Sequence, residues 1–175
     1  DAYVGVADAA GAAERAEKRT DFRGRWRAVF RAVRAWALAH PQEYALIFGS
    51  PVPGYAAPQE TTGPASRVPG LLAQIVMDAE RAGPVTAQVS VLDGALRPDA
   101  RRAVEALSAL GVLPPEASSL VGDQPASVLT VLDAWTQLYG TVSFELFGHY
   151  VGVIEDRATY LDRVADLTAT AAGLA

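Results

Sequence analysis

The sequence predicts an all-α protein, with residues 1–175 forming a single helical domain of about seven to eight helices. Two observations support this prediction. Apolar residues recur at helical spacing in one segment after another, and alanine, the strongest helix former, occurs 34 times. Residues 88–92 alternate like a strand, but one strand would have no partner in this chain, so we predict a short helix or an irregular stretch there.

Two helices are predicted before the first proline. Residues 1–18 form an alanine-rich helix with a weakly apolar face, and Phe22–Ala39 form a strongly amphipathic helix with Asp21 at its N-cap. The polar side of the second helix carries four arginines: Arg23, Arg27, Arg31 and Arg34. We interpret them as a solvated helix face rather than a DNA-binding patch, because they lie in an acidic chain and no aromatic residues are interleaved with them on the same face of the helix.

Prolines and glycines punctuate the middle of the chain. Pro41 begins a short helix that ends at Gly49, and the proline-rich residues 50–58 form a loop. A helix over residues 64–82 follows, in which Pro69 and Gly70 predict a kink or the true start. An amphipathic helix covers residues 98–110 and ends at Gly111.

Two helices are predicted at the end of the chain, over residues 125–149 and 156–172. The longer one has apolar residues on two faces, which predicts that both faces are buried. One face can pack on its own domain, whereas the other needs a second surface. Small residues such as Gly140 and Ser143 would allow that surface to approach closely.

Composition excludes several classes of protein. The net charge is −5 and there are no cysteines, which excludes disulfides and thiolate metal sites. No apolar run reaches the roughly 18 residues of a membrane helix, so we expect no membrane contact and a cytoplasmic location. Glu145 and His149 lie four residues apart on one helix face, but two ligands per chain are too few for a metal site. We therefore predict no metal and no cofactor.

Catalytic motifs are absent from the sequence, and we predict that the chain is not an enzyme. There is no nucleophile elbow, phosphate-binding loop or dinucleotide-binding glycine motif, and Ser50 with His40 lacks an orienting acid. His40 ends a helix, where it is expected to cap the last carbonyl groups.

An apolar cavity between helices is the candidate functional site. Each candidate side chain, taken singly, is explained equally well as ordinary core. Because these segments contain few charges, we expect an apolar or aromatic small-molecule ligand. The candidate residues are Trp36, Tyr44, Phe48, Tyr55, Leu72, Ile75, Val76, Met77, Trp135 and Tyr139.

Two stretches resemble a known family. RAVRAWALAHPQEYALIFGSPVPGYAAP and DAWTQLYGTVSFELFGH together span about 45 residues. They resemble the C-terminal ligand-binding domain of TetR/AcrR-type transcriptional regulators, in the subgroup with a WHG domain. The order of the predicted helices also fits that family across the whole chain.

The resemblance implies a function. In that family an N-terminal helix-turn-helix binds operator DNA, the remaining helices bind a small effector, and the last two long helices form a four-helix bundle in a homodimer. The helix-turn-helix is expected to be missing here, so residues 1–18 correspond to the connecting helix and operator DNA would be bound only through the missing domain. Residues 125–172 correspond to the dimerisation helices. The predicted interface residues are Val142, Leu146, His149, Leu161, Val164 and Thr168.

The sequence therefore predicts the effector-binding and dimerisation domain of a TetR-like regulator, which we expect to be a repressor. The alternative is a helical interaction module or a small all-α enzyme unrelated to DNA binding. The segment that precedes Asp1 in the complete gene would distinguish the two.

Overall fold

The computed structural model describes residues 2–49, 62–83, 85, 96–113 and 126–174. These residues form seven α-helices and no strand, which confirms the predicted fold class. None of the described helices combines the length and the apolar character needed to cross a membrane. The helices are α1 (Ala2–Ala16), α2 (Phe22–Ala39), α3 (Pro41–Phe48), α4 (Thr62–Ala82), α5 (Arg97–Ala109), α6 (Ala126–Leu146) and α7 (Arg157–Ala171).

Some predictions lie outside the described residues. They are the proline-rich loop with Tyr55, the interpretation of residues 88–92, and the start of the long helix at residue 125. The role of residues 1–18 as a connecting helix stays a prediction.

Helix α2 begins and ends where its sequence predicts. The Asp21 carboxylate accepts a hydrogen bond of 2.7 Å from the Gly24 backbone N–H, so it satisfies one of the unpaired donors at the start of the helix. At the other end, His40 Nδ1 lies 3.0 Å from the Trp36 carbonyl oxygen, and its ring stacks on the Trp36 indole. His40 therefore has the structural role that we expected, and Pro41 starts α3 directly after it.

Helix α4 runs continuously through Pro69. It begins at Thr62, so the prediction that Pro69 and Gly70 mark its start is wrong. Gly70 allows a neighbouring side chain to approach α4 closely, and it does not interrupt the helix. A Cβ atom at this position would collide with the Val112 side chain, which lies in the turn after α5.

Helix α6 ends three residues earlier than predicted, so His149 is not part of it. The chain turns through Gly148, whose φ of 80° is costly for any residue with a Cβ atom. The N–H of His149 bonds to the Phe144 carbonyl and that of Gly148 to the Glu145 carbonyl, which is a Schellman ending. The sequence placed the end of the helix too late because the apolar Phe147 continues the helical pattern, although this residue already belongs to the turn.

Helix α2 lies at the centre and packs against α1, α4, α6 and α7. Trp26, Val29, Phe30 and Val33 of its predicted apolar stripe are fully buried. The Trp26 indole N–H donates a hydrogen bond of 3.0 Å to the Thr168 hydroxyl of α7, so the most buried ring of the core also satisfies its only donor.

The polar side of α2 is paired with acidic residues rather than solvated alone, which corrects our interpretation of the four arginines. Arg27 bonds to Asp166 and Arg31 makes two bonds of 2.7 Å to Asp162, both on α7. Arg34 makes two bonds to Glu145 of α6, and Arg23 bonds to the Leu174 carbonyl and the Thr170 hydroxyl. As the residue numbers of these arginines rise along α2, the residue numbers of their partners on α7 fall, so the two helices are antiparallel.

A second set of ion pairs is buried where α1, α2 and α4 meet. Arg25 is 1% exposed, and its guanidinium donates to Glu14 of α1 at 2.6 Å and to Asp78 of α4 at 2.7 Å. The Arg19 side chain also donates to the Glu14 carboxylate. We call these four residues the Arg25 cluster. It joins the C-terminal end of α1 to the C-terminal half of α4.

Candidate functional site

An open cavity of about 510 Å³ lies between α1, α3, α4 and α6. This is within the range of about 300–1,000 Å³ that is typical of small-molecule sites. We call it the aromatic groove. Its lining residues come from these four helices: Tyr3, Phe48, Ala65, Trp135, Thr136, Tyr139, Gly140 and Ser143.

Four aromatic rings form the walls of this groove. The Phe48 ring lies 4.0 Å from Tyr139, centroid to centroid, and meets Tyr3 edge to face at 5.9 Å. Trp135 meets Tyr139 edge to face at 6.3 Å. The rings therefore contact one another around the opening, and two of the three contacts have the perpendicular geometry that aromatic pairs prefer.

Tyr44 supports the groove from behind without lining it. Its side chain is fully buried, and its hydroxyl donates a hydrogen bond of 3.1 Å to the Tyr139 carbonyl of α6. The same hydroxyl lies 2.8 Å from Ser143 Oγ. Burial raises the pKa of Tyr44 to about 12, although its bond to Ser143 works in the opposite direction. Tyr44 is therefore uncharged at neutral pH and holds α3 against α6.

The side of the groove formed by α6 is small and polar. Thr136, Gly140 and Ser143 follow one another at i, i+4 and i+7, so they share one face of the helix. A Cβ atom at Gly140 would meet nothing within 4 Å, which leaves the backbone open to the cavity. In the ranges that the structure describes, no Asp, Glu, Lys, Arg or His lines the groove. Burial also raises the pKa of Tyr139, with a further contribution from the nearby Tyr44.

The predicted ligand residues divide into two groups. Phe48, Trp135 and Tyr139 meet in the walls of the groove, and Tyr44 lies directly behind them. The other described candidates lie elsewhere. Trp36, Leu72, Ile75 and Met77 are buried core side chains, and Val76 borders a separate enclosed apolar void of about 20 Å³. Residue 55 is outside the described range.

Five lining residues were absent from our prediction: Tyr3, Ala65, Thr136, Gly140 and Ser143. Four of them are small, and small residues give no periodic apolar signal. The sequence did single out Gly140 and Ser143, but as residues that let a second surface approach. Tyr3 carried a usable signal, because it is an aromatic residue in an otherwise alanine-rich helix.

Four of the six predicted interface residues are covered within the protomer. Val142, Leu161, Val164 and Thr168 are buried, and Thr168 bonds to Trp26. Neighbouring parts of the same protomer cover these side chains, and their assignment to an interface stays a prediction. On the second apolar face of α6, Leu129 is partly buried but Phe144 and Phe147 are exposed, so this face is not covered within the protomer, and periodicity does not show whether a neighbour covers a face.

The last two helices nevertheless keep apolar side chains at the surface. Phe144 of α6 and Leu167 of α7 are 51% and 50% exposed. Of the remaining predicted interface residues, Leu146 is half-buried and His149 is exposed in the turn after α6. Glu145, the residue that we considered with His149 as a metal pair, instead accepts both hydrogen bonds from Arg34.

Comparison with known proteins gives two matches. Residues 26–168 match the family model for the tetracycline repressor-like C-terminal domain. The chain is also 33% identical over 142 residues to the HTH-type transcriptional regulators Rv1816 of Mycobacterium tuberculosis and Mb1846 of Mycobacterium bovis. These alignments include 77% of this chain and 56% of each relative, so the chain spans little more than half their length.

Proposed function

This chain belongs to the family of tetracycline repressor-like C-terminal domains, and from that premise we propose that it is the effector-binding and homodimerisation domain of a cytoplasmic transcriptional repressor. Its effector is a small apolar or aromatic molecule bound in the aromatic groove. Operator DNA is contacted by a helix-turn-helix domain joined to the N-terminal end of α1, and this chain has no catalytic role.

The aromatic groove is the observation that carries the proposal. It has the volume of a small-molecule site and apolar walls with a few hydroxyl groups, which is the usual composition of such sites. Trp135 lines the groove, and its indole N–H is buried without a hydrogen-bond partner in the part of the chain that the structure describes, which is rare in native proteins.

The position of Tyr3 connects the groove to DNA binding. Tyr3 lies at the N-terminal end of α1, the end to which the DNA-binding domain would be joined, and its side chain lines the groove. An effector in the groove therefore contacts the connecting helix directly. It acts by population shift: it binds better to a dimer in which the two DNA-binding domains are wrongly spaced for half-sites about 34–36 Å apart.

Operator release tests this proposal. The measurement uses a protein in which a helix-turn-helix domain precedes Asp1, and it follows operator affinity while candidate effectors are added. A ligand that binds the groove is expected to weaken operator binding, and complete switching from 1:99 to 99:1 needs about 5.5 kcal/mol of differential affinity. Ligands that fill the groove and leave operator affinity unchanged would contradict the proposed coupling.

Dimerisation needs a separate test on the exposed side of α6 and α7. Leu167→Glu and Phe144→Glu are expected to give monomers in sedimentation analysis, because burying an unpaired charge in an apolar interface is costly. Leu46→Glu is the matched control, since Leu46 is 80% exposed but lies on α3. If the α6 and α7 variants remained dimeric like the control, the interface would lie elsewhere. Val142→Glu is unsuitable because Val142 is buried in the protomer and its replacement would unfold the chain.

A further inference from the structure

The chemistry of the aromatic groove restricts its ligand further than apolarity does. This inference rests on the proposed function, because it assumes that the groove is the effector site. We propose that the effector is an uncharged, flat aromatic molecule whose ring system lies over the bare backbone at Gly140 and whose hydroxyl or N–H group donates a hydrogen bond to Ser143 Oγ.

Among the described residues, those that line the groove carry no formal charge. Their titratable groups are tyrosines, and both Tyr139 and the supporting Tyr44 are held in the neutral form by burial. A carboxylate or ammonium group on the ligand would lose its water without gaining an ion-pair partner, which is strongly unfavourable. The groove therefore selects against charged ligands, including the long-chain carboxylates that its apolar walls alone would accept.

The shape of the groove favours a flat ligand. Gly140 has no side chain to fill the space between Thr136 and Ser143, so an aromatic ring can lie against the helix backbone there. The aromatic walls formed by Phe48, Tyr139 and Trp135 then offer ring faces and edges to the same molecule. A saturated bicyclic ligand of the same length is thicker and gains less from these ring contacts.

The hydrogen bonds around Tyr44 determine whether the ligand should donate or accept a hydrogen bond at Ser143. The Tyr44 hydroxyl has one proton, and it is used in the bond to the Tyr139 carbonyl. For the 2.8 Å contact with Ser143 to be a hydrogen bond at the same time, Ser143 must be the donor. The lone pairs of Ser143 Oγ then remain, so this groove residue presents an acceptor. A ligand hydroxyl or N–H group complements it.

Four probes of similar size test the inference by calorimetric titration of this chain. They are 2-naphthol, naphthalene without a donor, the anionic 2-naphthoate, and the saturated decahydro-2-naphthol. We expect 2-naphthol to bind roughly 3- to 10-fold more tightly than naphthalene, the effect of one net hydrogen bond. The anion and the saturated alcohol are expected to bind at least about tenfold more weakly than 2-naphthol.

Variants locate the binding. Gly140→Leu fills the space over the helix backbone and is expected to abolish 2-naphthol binding while the protein stays folded, because no atom of the described residues beyond its own stretch of helix lies within 4 Å of a Cβ atom at this position. Gln137→Leu, one turn earlier on α6 and outside the groove, is the matched control and should bind normally. Ser143→Ala should reduce 2-naphthol affinity to that of naphthalene, leaving naphthalene unaffected.

The outcomes separate this inference from the proposed function. Binding of 2-naphthol that survives Gly140→Leu, or absence of binding by every probe, would overturn the inference. Tighter binding of 2-naphthoate that Gly140→Leu abolishes would keep the groove as the ligand site but reject an uncharged ligand. Binding as expected without any change in operator affinity would leave the ligand class intact and reject the proposed regulatory coupling.

Discussion

Helices α1 and α4 lie side by side in the same direction, and their two ends meet in different ways. At their C-terminal ends, Glu14 and Asp78 are held by the Arg25 guanidinium in a closed, charged cluster. At their N-terminal ends, Tyr3 and Ala65 face each other across the open aromatic groove. The same pair of helices is therefore joined by buried ion pairs at one end and borders an open cavity at the other.

The difference shows how one pair of helices can serve two purposes. Buried ion pairs are directional and lose much of their energy when their geometry changes, so the Arg25 cluster resists movement. Aromatic contacts around an open groove can be exchanged for contacts with a ligand at little cost. Under the proposed function, the Arg25 cluster anchors α1 while its N-terminal end responds to the effector.

The largest expected effect is loss of the Arg25 cluster. Arg25→Leu leaves the buried Glu14 and the partly buried Asp78 without their shared cation, and we expect a loss of about 3–5 kcal/mol in the free energy of unfolding. Urea denaturation measures it. Arg31→Leu is the matched control on the same helix, and its exposed pair with Asp162 should cost about 0–1 kcal/mol. Equal losses would show that the buried cluster is no stronger an anchor than the surface pairs.

Replacing two helical glycines with alanine should change the stability of the protein in opposite directions, which tests the contrast between packed and open regions. Gly70→Ala places a Cβ atom against Val112 and is expected to destabilise the protein by about 1–3 kcal/mol. Gly140→Ala adds its Cβ atom to open space and should stabilise the protein by up to about 1 kcal/mol. Thermal unfolding of both variants checks the signs. Destabilisation by Gly140→Ala would mean that the groove is closed at that point.

The two ends of α1 allow a direct comparison within one helix. Val6 is fully buried, and Val6→Ala should cost roughly 2 kcal/mol through lost burial and the cavity left behind. Tyr3→Ala removes a much larger side chain but should cost only about 1 kcal/mol, chiefly its contact with Phe48. Tyr3→Ala should also weaken 2-naphthol binding, whereas Val6→Ala should not. The reverse order of stabilities would place Tyr3 in the core.

The smallest expected effect is the change in the stability of the protein at acidic pH. The hydrogen bonds from Arg31 lower the pKa of the Asp162 carboxyl. Burial acts to raise the pKa of the Asp78 carboxyl, but the hydrogen bonds from Arg25 and Gln74 outweigh it, so the pKa of Asp78 is lowered too. An unfolded aspartate has a pKa of about 3.9. The stabilisation from both groups is thus fully present above that pH and is lost as the pH falls below it.

Asp162→Asn isolates one of these contributions. At pH 7 we expect a loss of about 0–1 kcal/mol in the free energy of unfolding, because the pair with Arg31 is exposed. The difference from the unmodified protein should shrink as the pH is lowered to about 3, because the aspartate of the unfolded chain is protonated below about 3.9 whereas the pKa of the folded group is lower. Urea denaturation at both values measures it. A difference that stays the same at both values would assign the effect to packing instead.

Local signals in the sequence were sufficient for most of the secondary structure. Asp21 predicted the start of α2, Pro41 predicted the start of α3, and Gly111 predicted the end of α5. Each depends on a residue and its immediate neighbours, so it can be recognised without knowledge of the fold. The same logic failed at α6, because Gly148 ends the helix while the apolar Phe147 continues its pattern.

The lining of the aromatic groove was predicted only in part. Phe48, Trp135 and Tyr139 were among the residues predicted to line an apolar cavity, and they do meet in one groove. Leu72 and Ile75 have the same apolar character but are core side chains. Apolar periodicity indicates burial, and it does not distinguish packing against the protein from facing a cavity.

The sequence by itself determined the helical class, the family and most of the helix boundaries, because these depend on local helix propensity, on capping residues and on two family-specific sequence motifs. Only the tertiary structure decided which residues enclose a cavity, which arginines pair with which carboxylates, and which apolar faces of α6 and α7 remain exposed. These features depend on contacts between residues distant in the chain, such as Arg31 with Asp162 or Tyr3 with Phe48. Such contacts arise from the packing of whole helices, which no local pattern specifies.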